Sequence, residues 1–209
     1  MNKTFEEAMK FRHACKEFDV SRKIPKDDIE FVLNAGIQSP TSYGLEFTKY
    51  LVIENSELKN KIQSASMNQE QVSQCSHLVV VLVRIDDAKI KSGTPKQRFE
   101  RLNLPDETLN FFLDMYGQFS QTHLKDDKDI YHWTSKQAYI SIGNIMTAAA
   151  VKGIDSCPLE GFKKDKVEEI LELNNSAFQV ALVLPLGYRN RDPRDSIRLD
   201  YKEVVEFIS

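Results

Sequence analysis

Arg12 and Lys16 stand four residues apart in the stretch Phe11-Arg-His-Ala-Cys-Lys-Glu-Phe-Asp19, with His13 between them. That spacing puts two side chains on one face of a helix, and also on one face of a strand, where side chains alternate. Both cations therefore project the same way under either geometry, and two convergent cations suit an anion. A second basic knot, Arg-Asp-Pro-Arg-Asp-Ser-Ile-Arg, occupies 191–198, and the loop-like Pro158-Leu-Glu-Gly161 lies between the two. Basic residues alone are ordinarily solvated surface, so residue chemistry by itself leaves a phosphate site and a plain charged face both open.

The common catalytic signatures are absent. Glycines at 36, 44, 93, 117, 143, 153, 161 and 187 are all isolated, which argues against both a G-x-G-x-x-G dinucleotide turn and a Walker loop. His13, His77, His123 and His132 show neither H-E-x-x-H nor a zinc spacing with cysteine, so no metal is expected. There is no G-x-S-x-G elbow. Cys15 near His13, or Cys157 beside Pro158, would be the nucleophile to consider, but a small buried cysteine is the commoner use of that residue.

At 209 residues the chain supports one substantial core, and a single domain over 1–209 is expected. The formal net charge of −3 is dispersed along the chain, which argues against a nucleic-acid or membrane-surface partner. Cys15, Cys75 and Cys157 cannot all pair with one another and form no C-x-x-C, so a reducing cytoplasmic setting fits better than a disulfide framework. The opening MNKTFEEAMK has no apolar core of a signal peptide, and the apolar stretch 138–151 is shorter than a bilayer span, so a soluble protein is expected.

The elements that must carry these residues alternate. A short helix follows Thr4, and a second opens at Pro25 with Ile29, Val32, Leu33 and Ile37 at helical spacing, stopping at Ser39-Pro40. Turn formers at 39–46 lead into a strand over FTKYLVIEN and a helix capped by Ser56. HLVVVLVRI reads as a central strand buried on both faces, since an unbroken β-branched run suits no half-exposed one. Residues 86–105 read as irregular, followed by an amphipathic helix with Leu109, Phe112, Leu113, Tyr116 and Phe119 on one side. A long, partly buried helix spans 129–152 with Gly153 at its C-terminal cap, then come IDSCPLEGF, the helix KDKVEEILEL and the strand FQVALVLPLGYR. The class is α+β or α/β.

Taken in order, RHACKEFD, IPKDDIEFVLNAGIQSPTSYGLE, LVIENSELKNKI, NQEQVSQCSH, SKQAYISIGN, GIDSCPLEGF and ALVLPLGYR with its basic tail resemble the FMN-dependent nitroreductase family along nearly the whole chain. The resemblance implies an α+β fold: a three-layer α/β/α arrangement around a mostly antiparallel mixed sheet, in an interlocked homodimer. A helical excursion would lie at about 86–128 and a C-terminal arm at about 190–209. It implies FMN as cofactor and NAD(P)H as electron donor, with nitroaromatics, quinones or similar small acceptors reduced in a ping-pong cycle and no obligatory side-chain acid. Other reactions on the same cofactor, such as flavin or pteridine reduction or dehalogenation, and flavin binding without turnover, are the rival readings.

Residue by residue, the resemblance implies that Arg12 binds the FMN phosphate, with His13 and Ala14 beside it, and that Lys16 meets the pyrimidine edge of the ring. Lys16, Glu160 and Gly161 would tune the flavin, since a cation near the reducible ring favours the charge it gains. Pro40, Thr41 and Ser42 match a loop that reaches the flavin from the partner subunit, and Asn68, Gln71 and Gln137 match contacts to its polar edge. Pro158, Leu159, Glu160 and Gly161 match the segment along the flavin face, where glycine permits close backbone approach. Arg198 matches a second phosphate-binding arginine, but Ser196 stands where a basic residue is usual, leaving Arg194 and Arg189 as candidates to compensate. Tyr43 and Phe119 are the candidate substrate contacts, with core packing the alternative for Phe119. Gly44-Leu45-Glu46-Phe47 and Ala14 depart from the commoner family residues, which touches substrate preference rather than cofactor.

Overall fold

The computed structural model describes residues 2–193 and 195–208. The chain runs α1 (Phe5–Phe11), α2 (Lys26–Ile37), β1 (Thr48–Ile53), α3 (Ser56–Ala65), the single turn α4 (Gln71–Gln74), β2 (His77–Arg84), α5 (Thr94–Glu100), α6 (Asp106–His123), α7 (Asp127–Val151), β3 (Asp155–Ser156), α8 (Lys164–Ile170), β4 (Phe178–Gly187) and the single turn α9 (Tyr201–Val204). The four strands form one sheet in the order β1-β2-β4-β3, every pair antiparallel, and Ala14 adds a parallel bridge to Ser156 that makes the sheet mixed. Among the described residues, no strand pairs with the outer edge of β1.

The alternation of side chains across β2 divides the core in two. Val79, Val81 and Val83 pack with residues of α2, α6 and α7, whereas Leu78, Val80 and Leu82 pack with Ile62, Val72 and Val167 on α3, α4 and α8. Helices therefore cover both faces, which is why β2 carries a continuous apolar run and is the fully buried centre of an α/β/α sandwich. The pairing of β2 with β4 shifts register between Val81 and Leu82, a bulge that leaves Ala181 as the extra residue.

Local chemistry sets most boundaries. Thr4 and Glu7 form a reciprocal capping box at α1. Gly153, at φ +70, ends α7 by donating to the Ala150 carbonyl at 2.9 Å, in the left-handed conformation that glycine adopts freely. Two expectations are corrected. The cap of α3 is Asn55, whose side chain accepts from Leu58 N, and Ser56 is the first helical residue. The stretch 86–105, read as irregular, contains α5, which begins after Gly93 in a left-handed turn with Pro95 in its first turn, where the missing N–H costs nothing. Among the described residues, no helix is long and apolar enough to cross a membrane.

Close approaches fix how outlying segments sit on this frame. A Cβ at Gly187 would lie 2.7 Å from Cδ1 of Phe18, so the bare backbone at the end of β4 lets the Phe18 ring, only 2% exposed, dock the 12–18 segment on the sheet. Gly187→Ala is expected to lower stability by about 1–3 kcal/mol through overpacking, read as a lower urea midpoint at unchanged m-value.

His77, at the start of β2, is buried with Nδ1 2.9 Å from Ser76 Oγ, which also accepts from Ile24 N. Burial, aided by Lys23 and Lys59 and opposed by Glu54, holds its pKa below the ordinary 6.5. Below pH 6.5 the unfolded chain takes up the proton before the folded one does, so stability is full above 6.5 and falls as pH drops toward the lowered folded value. Urea midpoints measured across that window should fall with pH in the wild type and flatten in His77→Gln.

Candidate active site

The segment after α1 is extended, not helical, so Arg12, Ala14 and Lys16 share a face by strand alternation while Cys15 turns into the core at 2% exposure. It is tied by Cys15 N to Ser156 O at 3.1 Å, Asp19 N to Tyr188 O at 2.8 Å and Asn190 N to Glu17 O at 3.1 Å. A cavity of about 830 Å³ opens on that face. Arg12, His13, Ala14, Lys16, Pro158, Ser196 and Arg198, all expected site residues, line it together with Arg191 and Ile197. The two ends of the chain thus meet at one hollow. Glu17, Asp192 and Asp195 also reach it, and Arg191 pairs with Glu17 at 3.2 Å. Among the described residues, no carboxylate lies within ion-pair distance of Arg12, Lys16 or Arg198.

Beneath the segment, Asp155 at the start of β3 is sealed at 4% exposure. Arg189 Nη2 approaches its Oδ1 to 2.6 Å as an ion pair whose N–H is not aligned for a hydrogen bond, while Arg189 N donates to Oδ2 at 2.9 Å. The same guanidinium donates to Phe11 O at 3.2 Å and lies over the Phe11 ring. Arg189 is therefore committed to structure and does not make up for Ser196; Arg194 lies outside the described residues. His13 Nδ1 sits 3.6 Å from Asp155 Oδ1. His13, Cys15 and Asp155 bring their ligand atoms within 4.8 Å of one another, but Arg189 already neutralises the carboxylate, and burial pushes the Cys15 thiol up to about 11. The thiolate that a metal requires is disfavoured there.

The segment 157–161 is held rigidly. Leu159 exchanges main-chain hydrogen bonds with Val183 at 2.9 and 3.2 Å, and its side chain turns into the core instead of toward the cavity, which limits its contribution there to backbone. Cys157 Sγ accepts from Lys16 Nζ at 3.4 Å; burial raises that thiol's pKa, and Lys16 partly offsets the rise. Tyr139 on α7 donates to Glu160 Oε1 at 2.5 Å, and Gln69 Nε2 donates to Gly161 O at 2.9 Å. Tyr139 and Gln69 were missed in the sequence, where only the identity of Gln69 as an amide next to Asn68 hinted at a role; Cys157 was weighed there as a nucleophile, not as an acceptor for Lys16. Gln71 is buried and bonded to Gln69, whereas the side chain of Asn68 is exposed and its backbone adopts φ +54.

The remaining expected residues lie elsewhere in this chain. Gln137 is buried, its Oε1 accepting from Ser42 N at 2.9 Å and its Nε2 donating to Trp133 O at 3.3 Å, so its amide positions the 40–44 loop, and one of its two N–H groups has no partner among the described residues. Pro40 is exposed at the head of that loop and Thr41 Oγ1 accepts from Glu46 N. Tyr43, at φ +57, and Phe119 meet with ring centroids 5.6 Å apart in a cluster with Tyr116 and Trp133, half-buried against the core. Neither lines the large cavity.

Residues 9–188 match the model of the nitroreductase family, and the chain belongs to that family. It is 37% identical over 212 residues to YfkO of Bacillus subtilis (strain 168), provisionally named an NAD(P)H nitroreductase, covering 97% of this chain and 96% of that one. Its fold is similar to the crystal structure of ydfN from Bacillus subtilis, with a TM-score of 0.85 at 22% identity over 98% of both chains. It is likewise similar to a nitroreductase-like structure from Exiguobacterium sibiricum 255-15 solved in complex with FMN, with a TM-score of 0.81 at 18% identity over 100% of both chains.

Removing the sealed carboxylate tests the frame of the site. Asp155→Ala leaves the half-buried Arg189 without its counter-charge and is expected to cost about 3 kcal/mol, the lower end for breaking a buried pair, measured by urea unfolding.

Proposed function

We propose that this chain is an FMN-dependent oxidoreductase that takes electrons from NAD(P)H and passes them to nitroaromatics, quinones or similar small acceptors. The observation that carries the reading is the meeting of Arg12 and Arg198, from opposite ends of the sequence, with Lys16 and Pro158 at one cavity, none of the three cations in an ion pair among the described residues although Glu17, Asp192 and Asp195 reach the same hollow. A doubly charged phosphate suits two guanidinium groups, which offer paired planar donors. The FMN-bound fold relative and the NAD(P)H named for YfkO agree with it. When bound, the flavin supplies the redox chemistry, accepting two electrons from the nicotinamide and yielding them to the acceptor in a ping-pong cycle.

The protein's part is binding, orientation and charge. Arg12 and Arg198 hold the phosphate, with His13, Ala14 and Ser196 at their sides. Lys16 places a positive charge at the ring's pyrimidine edge, where it favours the reduced form. Pro158, which lines the cavity, and the main chain of Glu160 and Gly161 beyond it would lie along the ring, and Gly161, without a Cβ, leaves room beside Gln69. The 40–44 loop sits apart from the cavity within one chain, which fits a site completed by a second copy. The unpaired edge of β1 and the exposed apolar side chains Ile197, Leu199, Tyr201, Val204, Phe207 and Ile208 along the C-terminal arm support such a homodimer.

The purified protein is expected to be yellow and to bleach with NADH or NADPH under anaerobic conditions. Arg12→Ala and Arg198→Ala should each emerge largely free of FMN, whereas Lys16→Ala should keep part of its flavin and be reduced more slowly. Full FMN occupancy in the double arginine variant, read from the ratio of flavin to protein absorbance, would remove the phosphate site from the account.

A further inference from the structure

Two glutamines on the α3–α4 turn carry information about the ligand that their identities alone do not. A carboxamide donates through nitrogen and accepts through oxygen, and which end faces a ligand is settled by its neighbours. For Gln69 the neighbours leave no choice. Its Nε2 lies 2.9 Å from Gly161 O and 3.1 Å from Ser66 O, and main-chain carbonyls only accept, so the nitrogen must face them. The Gln69 oxygen then faces Gln71, whose Nε2 donates to it at 3.1 Å. The same Gln71 nitrogen lies 4.0 Å from Cys157 Sγ, the sulfur that also accepts from Lys16 Nζ.

Both amide nitrogens are thus directed at partners inside the protein. Every hydrogen bond of the Gln71 side chain among the described residues runs through Nε2, and its Oε1 is not among the sealed, unpartnered polar atoms. Gln71 does not itself line the cavity but stands beside Lys16, which does, and the pair, linked through one sulfur, retains for a ligand an acceptor, Gln71 Oε1, and a donor, the Lys16 ammonium.

We infer that Gln69 is a positioning residue that orients the Gln71 amide and thereby makes the site select a ring edge bearing an N–H next to a carbonyl. This rests on the FMN reading and deepens it: the imide edge of the flavin pyrimidine ring has that pattern, and a ring alkylated at the imide nitrogen does not. Gln69 touches no ligand in this account. It acts by fixing which atom of Gln71 does.

The test titrates wild type, Gln69→Leu and Gln69→Met with FMN and with its N3-methyl derivative, following flavin fluorescence, and records the N3–H proton signal of bound 15N-labelled FMN. Wild type is expected to bind FMN roughly tenfold or more tightly than the methylated compound, the loss of one hydrogen bond to a buried amide, and to show a slowly exchanging N3–H. In either Gln69 variant the amide of Gln71 is free to turn, so the affinity ratio should shrink several-fold and the N3–H should exchange faster. A residue that merely packs would weaken both ligands alike and leave the ratio and the signal in place, which overturns the inference, as does a ratio near one in wild type. A wild type that takes up neither flavin rejects the cofactor reading itself, and a wild type that binds both equally rejects only the role of Gln69.

Discussion

The sealed carboxylate of Asp155 decides where the cations of this protein can be. Through Arg189 it joins three pieces of chain: the end of α1, the start of β3 and the exit of β4. Taking such a pair out of water is costly, and its gain in stability over an apolar pair is small. What it secures is geometry. With Arg189 held on Phe11 and Asp155, the extended segment that follows α1 can lie in only one register along Ser156, and Arg12 and Lys16 then face the same hollow.

A rigid sheet beneath irregular connections is a common way of placing chemistry, because loops offer backbone and side-chain groups that a strand interior must use for its own ladder. Here the connection 157–161 is anchored by main-chain pairing to Val183 and by side chains arriving from α7 and from the turn before α4. Cys157 shows how one element serves both needs. Its backbone belongs to the frame, donating to Pro185 O, and its sulfur is a shared acceptor under the polar residues of the site.

Much of the frame was legible in the sequence because it follows from periodicity. The unbroken run of β2, the helical stripe of α6 and the small residues of α7 each state their burial directly. The residues lining the cavity at both chain ends were legible through family resemblance, not through charge alone. What escaped depends on tertiary partners. α5 was hidden because Gly93 and Pro95 read as breakers, although at a helix start both are compatible with it. Leu159 looked like a site residue by its neighbours, but the pairing with Val183 turns it inward. Among Asn68, Gln69 and Gln71, sequence gives three equivalent amides, and only the carbonyls of Ser66 and Gly161 single out one of them.

The bare edge of β1 has a further implication for self-recognition. Two such edges meeting about a two-fold axis at Lys49 would bring Lys49 against Lys49, and like charges placed opposite one another on neighbouring strands repel. Lys49 Nζ already lies over the Phe178 ring at 4.8 Å, so turning away would forfeit that contact as well. In that register the strand is a poor template for its own image, whereas an uncharged extended segment from a second copy meets no such repulsion there.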